Sequence, residues 1–559
     1  MKLLISLFLS AFAFLSVQAQ STFISSLQCT PKDGATVMGV VECDGQPLSD
    51  VVVSDGYEVT TTDASGCYYL NSKKVNGTVF VTSPSGYEYQ VSNFYKPSFW
   101  AKLEKASTEV ERHDFRLLRK DNTKHVMYCV SDIQLSNRWN DIEQFTQKSL
   151  PFIRKTLKKF KGRPVYSLNT GDLAYDRYWY SDKFTIESFS TLMEEVRWPM
   201  QMFSCMGNHD HDAATASDEN THFNAEWRYR KIMGPTYYSF NIGKIHYIMI
   251  DNIYYLNQPY AKGKKNPHMG TVGRVNYNHQ ISQEQIDWIK KDLAYVDKST
   301  PLVIGMHDPM FKYVGLSTTK YKNNFKYQQN FDDFISTLKG YEVHIISGHS
   351  HIQRTTYVDS LNLIDHNVCA LAGNLWVTGG LGYELQAFDG SPAGFDVLQV
   401  DGKKLHWKFY PVSCGEKVQC RMWDMNAVRN YCNTDSAYIK LMEHYPKCFD
   451  FRKVGNNTVY LHVWAWDPTW KVEAFEDGKP IAVERKMLPN PQYALTYYAQ
   501  RYMRSKVYPR RELKFPKVAT MFLLQCEKTK STIRVELTDG FGEKYTQTLK
   551  RPSVYKIPR

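Results

Sequence analysis

Five short polar motifs combine Asp, Asn, Gln and His residues whose chemistry suits metal ions. Carboxylate, amide and imidazole groups are ligands that favour manganese, iron or zinc. A single Asp-x-Gln triplet carries no information and a lone histidine after a strand is more often structural, so the prediction depends on all five motifs occurring together. Together they predict a centre of two metal ions that activates water for hydrolysis. In chain order the motifs are Asp132-Ile-Gln134, Gly171-Asp172-Leu-Ala-Tyr175, Gly207-Asn208-His209-Asp210, Met306-His307-Asp308 and Gly348-His349-Ser-His351.

Each motif directly follows a short apolar segment that predicts a β-strand. Helical periodicity fills the stretches between several of these strands, so residues 124–411 are expected to form an α/β layered core of central sheets flanked by helices. Open α/β sheets hold their ligands beyond the carboxyl ends of the strands, which would bring the motifs together. The predicted strands are Val126–Val130, Val165–Leu168, Met200–Ser204, Leu302–Gly305 and Val343–Ile346.

Local signals predict how the core elements begin and turn. Pro151 is expected to restart the helix over 141–160, and Ser282 with Gln285 to form a capping box at the helix over 282–296. Glycines beside several of the polar residues allow sharp turns. His349 and His351 are two residues apart, so a regular strand would place them on the same face.

The first nineteen residues predict a signal peptide. Lys2 precedes a charge-free apolar run, and Ala19 offers a small residue at the cleavage site. No later segment reaches the roughly 18 apolar residues that a membrane span needs. We therefore expect an exported protein, periplasmic or secreted, with no transmembrane span.

The length of 559 residues suits two to four domains, and the composition is that of a soluble globular protein, with 43% apolar and 23% charged residues. This composition excludes collagen, low-complexity disorder and a polytopic membrane protein. Short strands with Asp-Gly and Asn-Gly turns predict an antiparallel β-sandwich over 30–118 and a second β-rich domain over 413–559. The net charge of +12 fits an anionic substrate, but without a basic stripe or binding motif nucleic acid is not the preferred partner.

The chain contains eleven cysteines. An odd number cannot pair completely within one chain. Cys129 and Cys205 lie in apolar runs and are expected to be reduced core residues. Two disulfides could form among Cys414, Cys420, Cys432 and Cys448.

The order of the five motifs resembles that of the calcineurin-like metallophosphoesterases. The flanking β regions, and the segment 389–395, are similar to a three-domain exported subgroup common in Bacteroidetes. The resemblance implies a dinuclear centre of divalent or trivalent Mn, Fe or Zn ions. It also implies that a metal-bridging hydroxide attacks a phosphodiester, phosphomonoester or pyrophosphate bond. In that scheme Asp172 bridges both ions, and the remaining ligands divide into Asp132 and His351 for the first ion and Asn208, His307 and His349 for the second.

Two positions depart from or extend the family pattern. Gln134 stands where the family usually has histidine, so its amide either ligates the first ion weakly or offers its NH₂ group to substrate or water. Tyr175 stands where purple acid phosphatases have an iron-binding tyrosinate, although a packing tyrosine is the favoured interpretation because ligation needs a strongly lowered pKa.

The residues around His209 are expected to act on the substrate. His209 would bind a phosphoryl oxygen or protonate the leaving alkoxide, with Asp210 orienting it, whereas His211 is expected to be a solvated loop residue.

Arg138, Trp139 and Arg177 are candidate contacts for a phosphate-containing small molecule, a phospholipid or a nucleotide, or else they anchor loops. The competing hypothesis is a non-catalytic exported binding protein with a degenerate hydrolase core.

Overall fold

The computed structural model describes residues 23–256, 277–505 and 512–559. The predicted signal peptide, residues 1–19, lies outside the described residues. Within the described part of the chain, no helix combines the length and apolarity needed to cross a membrane.

The N-terminal region forms a six-stranded and a four-stranded sheet. The expectation of a purely antiparallel sandwich was wrong, because Val37–Cys43 pairs in parallel with Phe115–Arg119. Between these two strands the chain passes through the four-stranded sheet. A connection of this length allows the returning strand to run parallel to the first one, whereas a tight hairpin would make it antiparallel. The first sheet comprises Val37–Cys43, Gln46–Pro47, Cys67–Leu70, Tyr87–Tyr89, Glu111–Arg112 and Phe115–Arg119, and the second comprises Val52–Ser54, Val59–Thr61, Thr78–Val81 and Trp100–Lys102.

The core has two mixed sheets, which confirms the predicted α/β layered fold. The five-stranded sheet has the order β3-β2-β1-β10-β11, and the six-stranded sheet has the order β4-β5-β6-β7-β9-β8. The strands are β1 (Lys124–Val130), β2 (Val165–Asn169), β3 (Gln201–Ser204), β4 (Tyr238–Ile242), β5 (Ile245–Met249), β6 (Leu302–Gly305), β7 (Val343–Ser347), β8 (Arg354–Val358), β9 (Leu363–Asn367), β10 (Gly394–Asp401) and β11 (Lys404–Pro411).

Alternate residues of β1 pack on opposite faces of the first sheet, and both faces are buried. Met127 and Cys129 pack in the cluster that contains the second sheet, whereas Tyr128 packs in the cluster formed with the helices. Phe203 of β3 and Phe240 of β4 stack with ring centroids 3.8 Å apart. The two sheets therefore share an apolar core, and β1–β3, β6 and β7 all end near it.

The helices of the core cover the sheets much as the periodicity predicts. Pro151 lies in the first turn of Leu150–Leu157, where α-helical geometry resumes after a π-helical stretch over Phe145–Ser149 that joins it to Asp141–Gln144. Only half of the predicted capping box forms: Gln285 N–H donates to Ser282 Oγ, but the Gln285 side chain binds the backbone of Asp251 instead. The helices are Asp141–Gln144, Leu150–Leu157, Ile186–Glu195, Thr221–Ala225, Trp227–Met233, Gln283–Leu293, Gln328–Leu338 and Val377–Gly380.

The C-terminal region is β-rich, as predicted, and also contains helices that the sequence analysis did not predict. Asp424 and Asp435 cap Met425–Thr434 and Ser436–His444 through their side chains. A helical segment also runs from Pro491 to Ser505. One sheet contains Cys420–Asp424, Thr458–Val463, Val483–Arg485 and Met521–Gln525, and the other contains Lys471–Glu476, Lys479–Ile481, Ser531–Thr538 and Lys544–Arg551.

Each of the eleven cysteines is a free thiol. The two disulfides suggested for the C-terminal group are therefore not formed. Cys414 and Cys420 pack against or in two different hydrophobic clusters, and Cys432 and Cys448 pack in a third, where both remain free thiols.

Candidate metal centre

The two sheets bring the five polar motifs to one place. β1, β2 and β3 run parallel in the first sheet, and β6 and β7 run parallel in the second. Each of these strands is followed by one of the motifs, with at most two residues between them. The predicted convergence at the carboxyl ends of the strands is what the structure shows.

His307 lies at the centre of the candidate ligands. Its Nδ1–H donates to the carbonyl of Thr170 at 2.7 Å, so Nε2 is the atom that would bind a metal once it has lost its proton. Nε2 lies 2.9 Å from Asn208 Oδ1, 3.2 Å from His349 Nδ1 and 3.4 Å from Asp172 Oδ2. Such crowding of donor atoms around one nitrogen is typical of a metal site.

Asp172 and His307 shift each other's pKa in this buried cluster. Burial opposes ionisation of Asp172, but the positive charges of His307 and His209 outweigh it and lower the pKa of the carboxyl. Burial likewise opposes protonation of His307, yet the Asp172 carboxylate raises the pKa of that imidazole to about 10. A cation is therefore favoured beside Asp172.

The second group of candidate ligands surrounds Asp132. His351 donates from Nδ1 to the carbonyl of Gly373 and places Nε2 3.3 Å from Asp132 Oδ1. The backbone N–H of His349 donates to the other carboxylate oxygen at 2.8 Å. His351 thus faces Asp132, whereas the His349 side chain faces His307.

His349 and His351 lie beyond β7, which ends at Ser347, so the regular-strand geometry does not apply to them. Both have left-handed backbones, with φ of 62° and 54°, and this bend turns the two side chains toward different partners. Asp132 and Asp172 are also left-handed, with φ of 47° and 53°. Backbone strain of this kind collects at functional sites, where surrounding structure holds it in place.

The glycines of the motifs permit close packing more than sharp turning. A Cβ atom on Gly207 would lie 2.2 Å from Asp172 Oδ1, and one on Gly348 would lie 1.9 Å from Ser131 Oγ and 2.6 Å from Asp132 Oδ2. Only Gly171 has a positive φ, of 93°. The carboxylates therefore fit only because these positions lack a side chain.

Gln134 is held within the centre by an interaction that neither predicted role included. Its Nε2 donates to Asp172 Oδ2 at 2.8 Å. Its Oε1 is buried and has no hydrogen-bond partner among the described residues. The amide thus supports the Asp172 carboxylate and leaves its oxygen free.

His209 is oriented by Asp176, so the expectation that Asp210 orients it was wrong. His209 Nδ1 lies 2.6 Å from Asp176 Oδ1. The Asp210 carboxylate instead accepts backbone N–H groups from Leu173 at 2.8 Å and Gly207 at 2.9 Å. Asp210 points back into the loops and holds them together.

Tyr175 packs beside the centre. Its ring lies edge-on to His209 with centroids 4.3 Å apart. Burial raises the pKa of Tyr175 to about 12, the opposite of what a tyrosinate ligand needs. This supports the interpretation of Tyr175 as a packing residue.

Arg138, Trp139 and Arg177 lie around Tyr178 or on the surface beside it. The Arg138 guanidinium stacks 4.2 Å from the Tyr178 ring and pairs with Asp182 at 3.2 Å, and Arg177 lies 5.7 Å from the same ring. Trp139 is 37% exposed and lines a surface cavity with Arg138. These contacts show that Arg138 anchors its loop, which was the alternative to substrate binding.

His211 is fully buried, so the expectation of a solvated loop residue was wrong. Its ring stacks on Tyr255 with centroids 4.6 Å apart, and its Nδ1 lies 3.0 Å from the carbonyl of Gly207. The burial of His211 could not be predicted from its neighbours in sequence, because Tyr255, which covers its ring, is distant along the chain.

Sequence reasoning gave no role to several residues that surround the histidines. Tyr277 O–H lies 2.9 Å from His349 Nε2, and Asp308 Oδ2 lies 3.6 Å from the same atom. Asn252 accepts the backbone N–H groups of His307 and Asp308. Of these residues, only Asp308 could have been suggested by the sequence, because it directly follows the predicted ligand His307.

The donor set fits a metal centre. Gln134 Oε1 is buried without a hydrogen-bond partner among the described residues, which is costly unless an ion satisfies it. Asp132 Oδ1 makes no hydrogen bond to them either, although His351 Nε2 lies 3.3 Å away. Asp172, His307 and His349 offer ligand atoms within 4.8 Å of one another. Imidazole nitrogens with carboxylate and amide oxygens suit manganese, iron or zinc.

Family models match the chain in three consecutive parts. The model for the N terminal of calcineurin-like phosphoesterases matches residues 35–120, that for calcineurin-like phosphoesterases matches 126–353, and that for their C terminal matches 365–545. The three matches together span most of the chain. No curated protein proved similar enough in sequence to count as a match.

Solved structures show distant similarity to about half of the chain. A dimetal phosphatase from Danio rerio is 12% identical with a TM-score of 0.33, over 51% of this chain and 95% of that one. GAP50, the anchor in the inner membrane complex of Plasmodium, is 14% identical with a TM-score of 0.31, over 52% and 86%. A 5'-nucleotidase from Candida albicans is 10% identical with a TM-score of 0.26, over 51% of each chain.

Proposed function

Since this chain belongs to the calcineurin-like phosphoesterases, with their N-terminal and C-terminal companion regions, we propose that it is a dinuclear metal enzyme that cleaves phosphate esters outside the cytoplasm. Its substrate would be a small anionic molecule, such as a nucleotide or a phospholipid, with a phosphodiester, phosphomonoester or pyrophosphate bond. The observation that carries the proposal is the position of His307 Nε2, within 3.4 Å of Asp172 and closer still to Asn208 and His349.

The proposed ligands divide into two groups around Asp172. Asp132 and His351, assisted by the free oxygen of Gln134, would hold one ion, and the remaining ligands Asn208, His307 and His349 would hold the other. Bound metals of this kind lower the pKa of water and clamp phosphoryl oxygens. Asp172 would serve both ions, which is consistent with its central position between His307 and Gln134.

His209 is the side chain that we assign to proton transfer in this site. Asp176 engages Nδ1, so Nε2 is left to face a substrate. The side chain is only 12% exposed, which keeps water from competing for its hydrogen bond. We assign Nε2–H to a phosphoryl oxygen or to the leaving alkoxide, which it would protonate.

The proposed location outside the cytoplasm depends on the mostly apolar run from Leu3 to Val17 and on the small residue Ala19 at the expected cleavage site. When the full chain is expressed, we expect an exported mature protein, periplasmic or secreted, whose amino terminus is Gln20. Retention of residues 1–19 would contradict export.

The function is tested by metal analysis together with hydrolysis of three substrates. Purified protein should contain Mn, Fe or Zn and should cleave at least one of bis-para-nitrophenyl phosphate, para-nitrophenyl phosphate and pyrophosphate in a chelator-sensitive way. The Asp172→Ala variant should lose the metals of this centre and the activity, because a shared carboxylate cannot be replaced by water alone. Metal-loaded protein that cleaves none of the three would favour the non-catalytic binding protein. Unchanged metal content in Asp172→Ala would contradict the ligand assignment.

A further inference from the structure

A second cluster of potential ligands lies behind the loop that carries Asn208 and His209. His211 follows that loop, His222 and Glu226 lie four residues apart at the Thr221–Ala225 helix, and Asp251 follows β5. Ligand atoms of these four residues all lie within 4.8 Å of one another. The cluster shares no residue with the candidate centre described above.

The cluster is buried, and two of its atoms make no hydrogen bond to the described residues, although His222 Nε2 lies 3.9 Å from Asp251 Oδ2. His211, Asp251 and Glu226 are 0%, 1% and 5% exposed. His211 Nε2 and Asp251 Oδ2 make no hydrogen bond to any residue that the structure describes. Buried polar atoms are almost always satisfied, so these two require a ligand or a proton.

The remaining atoms of these side chains are held so that the free atoms face one another. His211 Nδ1–H donates to the carbonyl of Gly207 at 3.0 Å, which leaves a lone pair on Nε2. Asp251 Oδ1 accepts the backbone N–H of Ile253 at 2.8 Å. Glu226 pairs with Arg230 at 2.9 Å through Oε2, and its Oε1 lies 3.3 Å from His222 Nε2.

We propose that His211, His222, Glu226 and Asp251 bind one divalent transition-metal ion, with zinc the best match. Two imidazoles and two carboxylates supply four ligands of the type that zinc prefers, with His222 ligating through Nε2 after its proton moves to Nδ1 and the 3.4 Å contact between Nδ1 and the Tyr255 N–H is given up. A site closed by four protein ligands is typical of a structural ion. The two carboxylates would balance the charge of the ion. The ion would tie the Gly207–His211 loop to the Thr221–Ala225 helix and to the end of β5.

A metal-free arrangement explains less of the cluster. Glu226 and Asp251 could share a proton, and His222 could donate from Nε2 to Glu226 while its Nδ1 accepts the N–H of Tyr255 at 3.4 Å. This arrangement satisfies Asp251 but leaves His211 Nε2 without a partner in a fully buried position. The ion satisfies both free atoms at once.

The decisive experiment counts metal ions by native mass spectrometry in the Asp172→Ala background. That variant should keep one zinc ion per chain after dialysis against zinc and then against buffer. Adding either His211→Gln or Asp251→Asn should remove the ion. Asp212→Asn is the matched control, because Asp212 lies in the same segment but pairs with Arg228 and Tyr180, and it should leave the ion in place.

Each result decides the proposal independently of the phosphoesterase activity. Folded Asp172→Ala protein with no ion would overturn it, as would retention of the ion in His211→Gln. If the principal centre holds no metal, wild type and Asp172→Ala should both contain the one ion, which separates the two hypotheses. If the double variants do not fold, wild-type protein loaded with cobalt provides the measurement: a tetrahedral cobalt spectrum that survives Asp172→Ala supports the site, and its loss contradicts it.

Discussion

The Nδ1 atom of His209 lies 2.6 Å from Oδ1 of Asp176, across the loop that follows β2. Asp176 is itself buried, at 2% exposure, so the pair is shielded from solvent. A carboxylate in this position fixes both the tautomer and the direction of the imidazole ring. His209 and Asp176 should therefore act as one unit.

We expect His209→Ala to keep its metal ions and to lower kcat by roughly 10²–10⁴-fold, the usual range for loss of an acid–base group. Asp176→Asn should lower kcat less, because the imidazole remains but loses its fixed orientation. The double variant should be no slower than His209→Ala, since residues that act as a unit are not additive. Steady-state kinetics with metal analysis of all three variants test this. Additive losses, or loss of metal from His209→Ala, would contradict the assigned role.

Gly348→Ala should weaken metal binding without changing any proposed ligand. The new Cβ would lie 2.6 Å from Asp132 Oδ2 and 1.9 Å from Ser131 Oγ, so the Asp132 carboxylate must move. Competition with a chelator should empty the variant at lower chelator concentration than wild type.

Gly455→Ala is the control for that substitution. Its Cβ would meet only Thr458 Oγ1, at 3.7 Å, in ordinary van der Waals contact. We expect this variant to retain metal like wild type. Equal metal retention in Gly348→Ala would show that Asp132 does not depend on the glycine.

Gln134→His should strengthen the metal site around Asp132 and His351. Imidazole nitrogen is a better donor than an amide oxygen, and the Gln134 NH₂ group is engaged by Asp172 rather than left for substrate. We therefore expect tighter metal binding with an unchanged preference among diester, monoester and pyrophosphate. Metal titration and kcat/KM for the three substrates provide the measurement.

Gln134→Asn serves as the comparison, because it keeps the amide but shortens its reach by one methylene. It should lose the hydrogen bond to Asp172 and bind metal less tightly than wild type. A shift of substrate preference in Gln134→His would instead assign the amide to substrate recognition.

His125 should make the core less stable in mild acid. It is fully buried between the sheets, with Nε2 2.7 Å from the Tyr247 hydroxyl, and burial lowers its pKa to about 4. The unfolded chain binds a proton below a pKa of about 6.5 while the folded chain does not, so stability falls as pH drops through that window. Between about pH 7 and pH 5 this residue should cost about 2 kcal/mol.

The measurement is the loss of free energy of unfolding between these pH values in wild type and in His125→Gln, which cannot titrate. The variant should lose about 2 kcal/mol less than wild type. An equal loss in both proteins would show that His125 does not titrate on unfolding.

The secondary structure of the core followed well from the sequence because its signals are local. β1, β2 and β7 are apolar runs between turn residues, and their observed bounds differ from the predicted ones by at most two residues. The helices of the C-terminal region were missed because their caps, Asp424 and Asp435, precede segments of mixed composition.

The amino-acid sequence by itself determined the strands, the residues that follow them and the chemical character of the candidate ligands, since these depend on neighbours along the chain. Only the tertiary structure decided which groups meet. Asp176 rather than Asp210 reaches His209, and His211 is buried against Tyr255 beside Asp251. These contacts join loops from different strands, and their geometry depends on how two sheets pack through a shared core, which no local pattern of residues encodes.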